Sequence, residues 1–160
     1  MIPFPQGRVL GGSSALNAQA FIAPSEVGMN FWRDLGNPGW DWETMLPYYE
    51  KSHTVNAPSQ DICNHLGLNY LQSSKWAGRH GPLQTSYTET LKDSLGKTWV
   101  DTFRTLKFSL TEDPFSGRTT GGFSNPTTVD VGTKERSYSG SGYFAPVQNR
   151  PNLHLLTGAR

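Results

Sequence analysis

A mixed α+β fold with more loop than regular structure is what this sequence predicts, and three observations predict it. Several windows carry apolar residues at helical spacing, two shorter runs suit strands, and 17 Gly and 11 Pro in 160 residues leave room for few long elements. A chain of this length can bury roughly two thirds of the surface its unfolded form exposes, enough for a core. The 17% charged and 12% aromatic content argues against disorder, because disordered segments are rich in charge and poor in aromatics. The chain is one ordinary domain or a piece of a larger one.

The first thirty residues carry only Arg8 and Glu26 as charges. A Gly-Ser corner, Gly11-Gly12-Ser13-Ser14, leads into Ala15 to Ala23, small and apolar residues that expect burial by other protein or by a large ligand. Pro24-Ser25 starts a short helix with Phe31, Trp32 and Leu35 at three- and four-residue spacing, and Gly36-Asn37-Pro38-Gly39 stops it. Asp41 is the N-cap of a second helix that gathers Trp42, Met45, Leu46 and Tyr49 on one face, and Pro47 is expected to kink or divide it. Residues 53 to 80 show no sustained period and read as an irregular excursion. Pro82 to Tyr87 suits a strand. From about Thr90 to Lys107, Leu91, Leu95, Trp99, Phe103 and Leu106 recur at helical spacing despite Gly96. Asp113 to Gly122 is turn-rich, Ser137 to Pro146 reads as a helix start or tight turn, and Leu153 to Thr157 as a strand between Asn149-Arg150-Pro151-Asn152 and Gly158.

Several function classes drop out. A net charge of +1 with no cluster of Lys and Arg provides no footprint for nucleic acid. The lone Cys63 makes no internal disulfide, and no Cys/His pair has zinc-ligand spacing. No apolar run approaches the roughly 20 residues of a membrane span.

Few residues point to chemistry by themselves. The missing side chains of Gly11 and Gly12 let backbone N–H groups approach an anionic or flat ligand, and Ser13 and Ser14 add hydroxyls; the same four residues equally suit a plain turn before a buried helix. Gly96-Lys97-Thr98 has the ending of a phosphate loop, but Leu91 occupies the required first glycine position and the segment lies within a helix. Ser94 with Lys97 reads as a surface helix pair, and Gly140-Ser141-Gly142 lacks the frame of a nucleophile elbow. His53, His65, His80 and His154 are scattered, with His154 solvent-facing on its strand. Trp40, Trp42, Tyr48 and Tyr49 read as packing, and Asp41 and Glu43 as helix-start residues. No catalytic dyad emerges.

Taken together, Gly7-Arg8-Val9-Leu10-Gly11-Gly12-Ser13-Ser14-Ala15-Leu16-Asn17, with Phe21, Pro24 and Asn30 at later offsets, resembles the first signature of the glucose-methanol-choline (GMC) flavin oxidoreductases. Leu35-Gly36-Asn37-Pro38-Gly39-Trp40-Asp41-Trp42 and Leu46-Pro47-Tyr48-Tyr49-Glu50-Lys51-Ser52 are similar to the family's next block. Gly121-Gly122-Phe123, Arg136-Ser137-Tyr138, Pro146, Arg150-Pro151-Asn152-Leu153 and Thr157-Gly158-Ala159 resemble its return from the substrate domain to the flavin domain. The resemblance runs in order through nearly the whole chain and is nearest the fungal branch.

The resemblance implies an FAD-dependent enzyme that oxidises a CH–OH group of a small alcohol or sugar-like donor to a carbonyl, passing hydride to the flavin and electrons to oxygen or another acceptor. It places residues 1–80 in part of an α/β FAD-binding domain, 81–150 in part of the substrate domain and 151–160 in a strand returning to the first. Carried over by position, the Gly11–Ser14 loop lies along the flavin and its pyrophosphate, Ser13, Asn17, Ala18 and Ala20 sit against FAD, and Arg8, Gly11 and Gly12 shape the loop. No histidine stands between Asn17 and Ala20, where some relatives bind flavin covalently, so FAD is expected to be non-covalent. Ala20 and Phe21 replace the Thr and Trp of certain oxidases, which leaves the acceptor open.

The family's Gly-x-Gly-x-x-Gly βαβ unit is expected before residue 1, and its catalytic histidine, with a His or Asn partner, after residue 160. An internal segment of a longer protein is therefore expected, incomplete without the βαβ unit and inactive alone. A non-catalytic remnant or binding module, and a relative with lyase or cyclase chemistry, are the alternative readings.

Overall fold

The computed structural model describes residues 4–68, 71, 80–87, 89–92, 94–110, 113–118 and 120–159. Helix α1, Glu26–Asp34, begins where the sequence predicts, because extended Ser25 accepts the Gly28 N–H with its Oγ at 3.0 Å. Helix α2, Trp42–Ser52, begins at Asp41, whose Oδ1 accepts the Thr44 N–H at 2.9 Å. Asn30 of α1 supplies a further acceptor, taking the Trp42 N–H on its Oδ1 at 2.9 Å, so one helix satisfies an orphan donor of the next. Pro47 does not divide α2. It forfeits one backbone donor, while Trp42 is buried and Met45, Leu46 and Tyr49 pack against the core on either side of it.

Residues 53–80 correct the expectation of an irregular excursion: they contain strand β1, His53–Asn56, and helix α3, Gln60–Leu66. Both are too short for a period to show. β1 buries only His53 and Val55, and α3 only Ile62, Cys63 and Leu66. Residues 69–70 and 72–79 of that stretch lie outside the described residues. Strand β2, Leu83–Ser86, falls within the predicted strand and pairs parallel to β1, His53 opposite Leu83 through Asn56 opposite Ser86. Two strands alone are marginal, and single antiparallel bridges widen the ribbon: Ser86 pairs with Thr127, and Thr127 with Ala20.

The core runs from Ala23 and Met29 through Trp42, Val55, Ile62, Cys63, Leu66 and Leu68 to Tyr87 and Phe115. Helix α4, Ser94–Thr105, is shorter than the predicted span, and Leu91 lies before it. Its buried residue is Val100, which lies 3.1 Å from where a Cβ of Gly67 would be, at the end of α3. The predicted stripe is turned outward, with Leu95 81% and Trp99 57% exposed. Phe31 and Trp32 of α1 and Leu35 at its C-cap are likewise exposed, and Met29 is that helix's buried residue.

Ser137 to Pro146 forms a helical turn, π-type over Gly140–Phe144, then a 3₁₀ turn over Ala145–Val147. Leu153 to Thr157 is not a strand. No segment pairs with it among the described residues, the Leu153 N–H closes a turn onto Arg150 O at 3.1 Å, and His154 is exposed on irregular chain. Among the described residues no helix is long and apolar enough to cross a membrane.

Candidate functional site

The Gly7–Ala15 segment folds back on itself because two of its glycines stand where no side chain fits. A Cβ on Gly7 would lie 2.4 Å from Gly12 O, and the Gly7 N–H donates to Ser13 Oγ at 3.1 Å. Gly11 is left-handed at φ +92°, and its Cβ would meet the Tyr138 ring at 2.7 Å. Gly12 differs: it is left-handed at φ +56°, yet nothing lies within 4 Å of the place its Cβ would take. Protein packing dictates the first two glycines, whereas Gly12 looks onto open space. The following 3₁₀ turn, Gly12–Ala15, presents Ser13 at the surface.

Contacts across more than a hundred residues hold this loop. Ser14 Oγ donates to Gly11 O at 2.6 Å and lies 2.8 Å from Ser139 Oγ, while Ser139 Oγ donates to Gly11 O at 3.1 Å. Arg136 Nη1 donates to Asn17 Oδ1 at 2.6 Å. Asn17 Oδ1 also accepts the N–H of Gln19, a non-glycine residue at φ +67°. The neighbouring backbone is pinned to the sheet, with Thr128 N–H donating to Gln19 O at 2.9 Å and Phe21 N–H to Pro126 O at 3.0 Å.

The sequence-predicted residues therefore divide. Gly11, Gly12 and Ser14 are half-buried within the loop, and Ser14 commits its hydroxyl to holding it. Arg8, Ser13, Asn17, Ala18 and Ala20 are exposed. So are Leu16 and Ile22, and Ala23 is the one fully buried residue of the stretch Ala15 to Ala23. Between Gly7–Gly11 and Leu155–Ala159 runs a cleft of about 510 Å³, lined by Arg8 and by the apolar Val9, Leu10, Leu155 and Leu156. Sites for cofactors and small ligands span roughly 300–1,000 Å³.

Against Phe21 packs a residue that the sequence offers only as one of four scattered histidines. His53 is fully buried, edge-on to Phe21 at 4.9 Å between ring centroids and 4.5 Å from Phe115. Its Nδ1 sits 2.9 Å from Tyr49 O, which can only accept, so the proton is assigned to Nδ1 and buried Nε2 is left without a partner. Burial holds His53 below the ordinary histidine range, against the opposing pull of the Tyr49 carbonyl. Nearby Asp113 is pushed up by burial, countered by the Phe115 N–H that its Oδ1 accepts at 2.8 Å and reinforced by Glu50. Arg136, Tyr138 and Ser139 were also missed as partners of the loop. No local signal in the sequence links them to residues some 120 positions earlier. Among the described residues no group of three or more His, Cys, Asp or Glu could hold a metal ion.

The GMC oxidoreductase family profile matches residues 1–160. A GMC oxidoreductase family protein of Malassezia sympodialis, Mala s 12, is 32% identical over 157 residues, covering 97% of this chain and 25% of the relative. A glucose oxidase-like protein of Humicola fuscoatra is 32% identical over 158 residues, covering 98% of this chain and 26% of the relative. An FAD-dependent oxidoreductase from Chaetomium thermophilum superposes with a TM-score of 0.86 at 30% identity, over 94% of this chain and 25% of that one. The chain thus spans about a quarter of the length of the curated relatives it matches. Matched to the family along its whole length, the chain belongs to the GMC oxidoreductases.

Proposed function

We propose that this chain supplies the flavin-contacting part of an FAD-dependent oxidoreductase acting on a CH–OH group of an alcohol or sugar-like donor. The cleft between Gly7–Gly11 and Leu155–Ala159 carries this reading. Its residues fit the group: Arg8 offers a cation to a pyrophosphate, Val9, Leu10, Leu155 and Leu156 offer apolar walls to a flat ring system, and Gly12, next in sequence to the lining Gly11, leaves open space for close approach. Arg8, Gly11, Gly12, Ser13, Ser14, Asn17, Ala18 and Ala20 would hold the cofactor. Asn17-Ala18-Gln19-Ala20 contains no histidine to link to a flavin, in keeping with a non-covalent site. FAD supplies the redox chemistry when bound, taking hydride from the donor carbon and passing electrons to a separate acceptor.

The protein's own contribution here is binding and orientation. Ser13 Oγ accepts from Gly7 N–H and keeps its proton for an outside acceptor, while Ser14, tied to Gly11 and Ser139, keeps the loop in one conformation. In this reading residues 1–80 belong to the cofactor domain, 81–150 to the start of the substrate domain and 151–160 to the segment returning to the cofactor. The approach of Leu155–Ala159 to the Gly7–Gly11 loop supports the last assignment.

The test is flavin retention by the full-length protein after incubation with FAD and desalting, read as absorbance near ~450 nm. Gly12→Ala, whose Cβ meets no protein atom, should cost about 1–2 kcal/mol of stability from its left-handed backbone. Its flavin affinity should fall by about tenfold or more, equivalent to roughly 1.4 kcal/mol. A wild-type protein that retains no flavin overturns the proposal, and unchanged affinity in Gly12→Ala overturns the placement of the loop.

A further inference from the structure

Asn17 offers a carboxamide whose two ends behave oppositely, and the surrounding hydrogen bonds decide which end faces outward. Both groups at its inner end, Arg136 Nη1 at 2.6 Å and the Gln19 N–H at 3.1 Å, are donors only. The atom between them must therefore be Oδ1, which leaves Nδ2 as the outer, donating end of an exposed side chain. Resting on the reading of this loop as a flavin site, we infer that Arg136 is a positioning residue: it locks Asn17 so that the cofactor meets a hydrogen-bond donor, and it holds Gln19 in its left-handed conformation.

Arg136 is itself well placed for this. It pairs with Val129 in an antiparallel bridge, and the Ser137 N–H donates to Thr128 O at 2.9 Å. The other arm of this hairpin carries Thr127, bridged to Ala20, and Thr128, whose N–H donates to Gln19 O. One hairpin thus grips Asn17 to Phe21 twice, by backbone through residues 126–128 and by side chain through Arg136. A non-glycine residue at φ +67° persists only where its surroundings over-determine it. The contacts at both its N–H and its C=O, the first through Asn17 and Arg136, supply that constraint. The bond from the guanidinium to Oδ1 is charge-assisted.

The experiment uses the full-length protein, with FAD affinity read by titration of the flavin signal and loop order by hydrogen exchange of peptides covering Leu10 to Phe21. Arg136→Met should speed exchange in those peptides and weaken FAD by about tenfold, the scale of losing a hydrogen bond to a charged group. Arg136→Lys, which keeps a cationic donor, should recover part of both. Asn17→Asp keeps acceptors for Arg136 and for the Gln19 N–H but removes the outer donor. It should leave exchange unchanged and still weaken FAD about tenfold, a split that a purely structural role would not produce. Unchanged exchange and affinity in Arg136→Met, or wild-type affinity in Asn17→Asp, would overturn the inference. If the wild-type protein takes up no FAD, the cofactor reading fails, and exchange in Arg136→Met still decides whether Arg136 orders the loop.

Discussion

Helices α2 and α4 carry the same signal in the sequence and meet opposite fates. Each has apolar residues at three- and four-residue spacing. In α2 the stripe is drawn into the core: Trp42 is 8% exposed and stacks on Tyr49 at 6.1 Å, with Met45 and Leu46 packed beside them. In α4 Leu95 and Trp99 of the stripe face out, Phe103 is half-buried against Gly122, and the one buried residue, Val100, stands outside the stripe. Amphipathic spacing states that a helix has an apolar face; it does not state which surface covers that face. α1 belongs with α4 in this respect, since Trp32 and Trp40 stack at 6.0 Å while both remain exposed.

The sharpest way to break this comparison is to truncate one tryptophan on each side. Trp42→Ala should destabilise by about 3–5 kcal/mol, the usual cost of emptying a buried aromatic site, whereas Trp99→Ala should stay within about 0.5 kcal/mol, as exposed positions do. Urea denaturation of the two variants measures the difference, and equal losses would mean that the α4 stripe is covered after all. A smaller effect is expected at the start of α1, where little packing competes with the cap. Ser25→Ala removes the acceptor of the Gly28 N–H and should cost about 1 kcal/mol in the same assay.

The smallest effect is a slope with pH, because buried His53 and half-buried Asp113 titrate in opposite senses. His53 is depressed from 6.5, so the unfolded chain binds its proton first, and its contribution to stability falls as pH drops through about 6.5. Asp113 is raised from 3.8, so the folded state binds its proton more tightly. Its contribution is full below that value and is lost as pH rises through the elevated one. Thermal unfolding should therefore show Tm declining on acidification from pH 7 toward 6, a decline that His53→Phe abolishes. The charges of α4 sit in solvent, with Asp101 held low by the Lys97 ammonium beside it. Lys97→Met should leave the profile near pH 6 unchanged.

Much of the local structure was legible. The caps Ser25 and Asp41, the breaking of α1 by its Gly-Asn-Pro-Gly run and the strand at 83–86 follow from short-range chemistry that needs no partner. The elements missed at His53–Asn56 and Gln60–Leu66 are four and seven residues long, too brief for a period to register. The strand expected at Leu153 to Thr157 failed for the converse reason. Alternation was present, but strand geometry needs a hydrogen-bonded neighbour, and none of the described segments provides one.

The same division holds at the candidate site. That a Gly-Ser corner precedes a run of small residues, so that backbone there can approach a ligand closely, follows from residue order alone. Which glycine serves the protein and which faces open space was decided by Tyr138, and the outward end of Asn17 by Arg136. Both partners lie roughly 120 residues away along the chain. Contacts of that separation leave no local pattern, because they form only when the β1–β2 ribbon and the 126–139 hairpin have brought the two segments together.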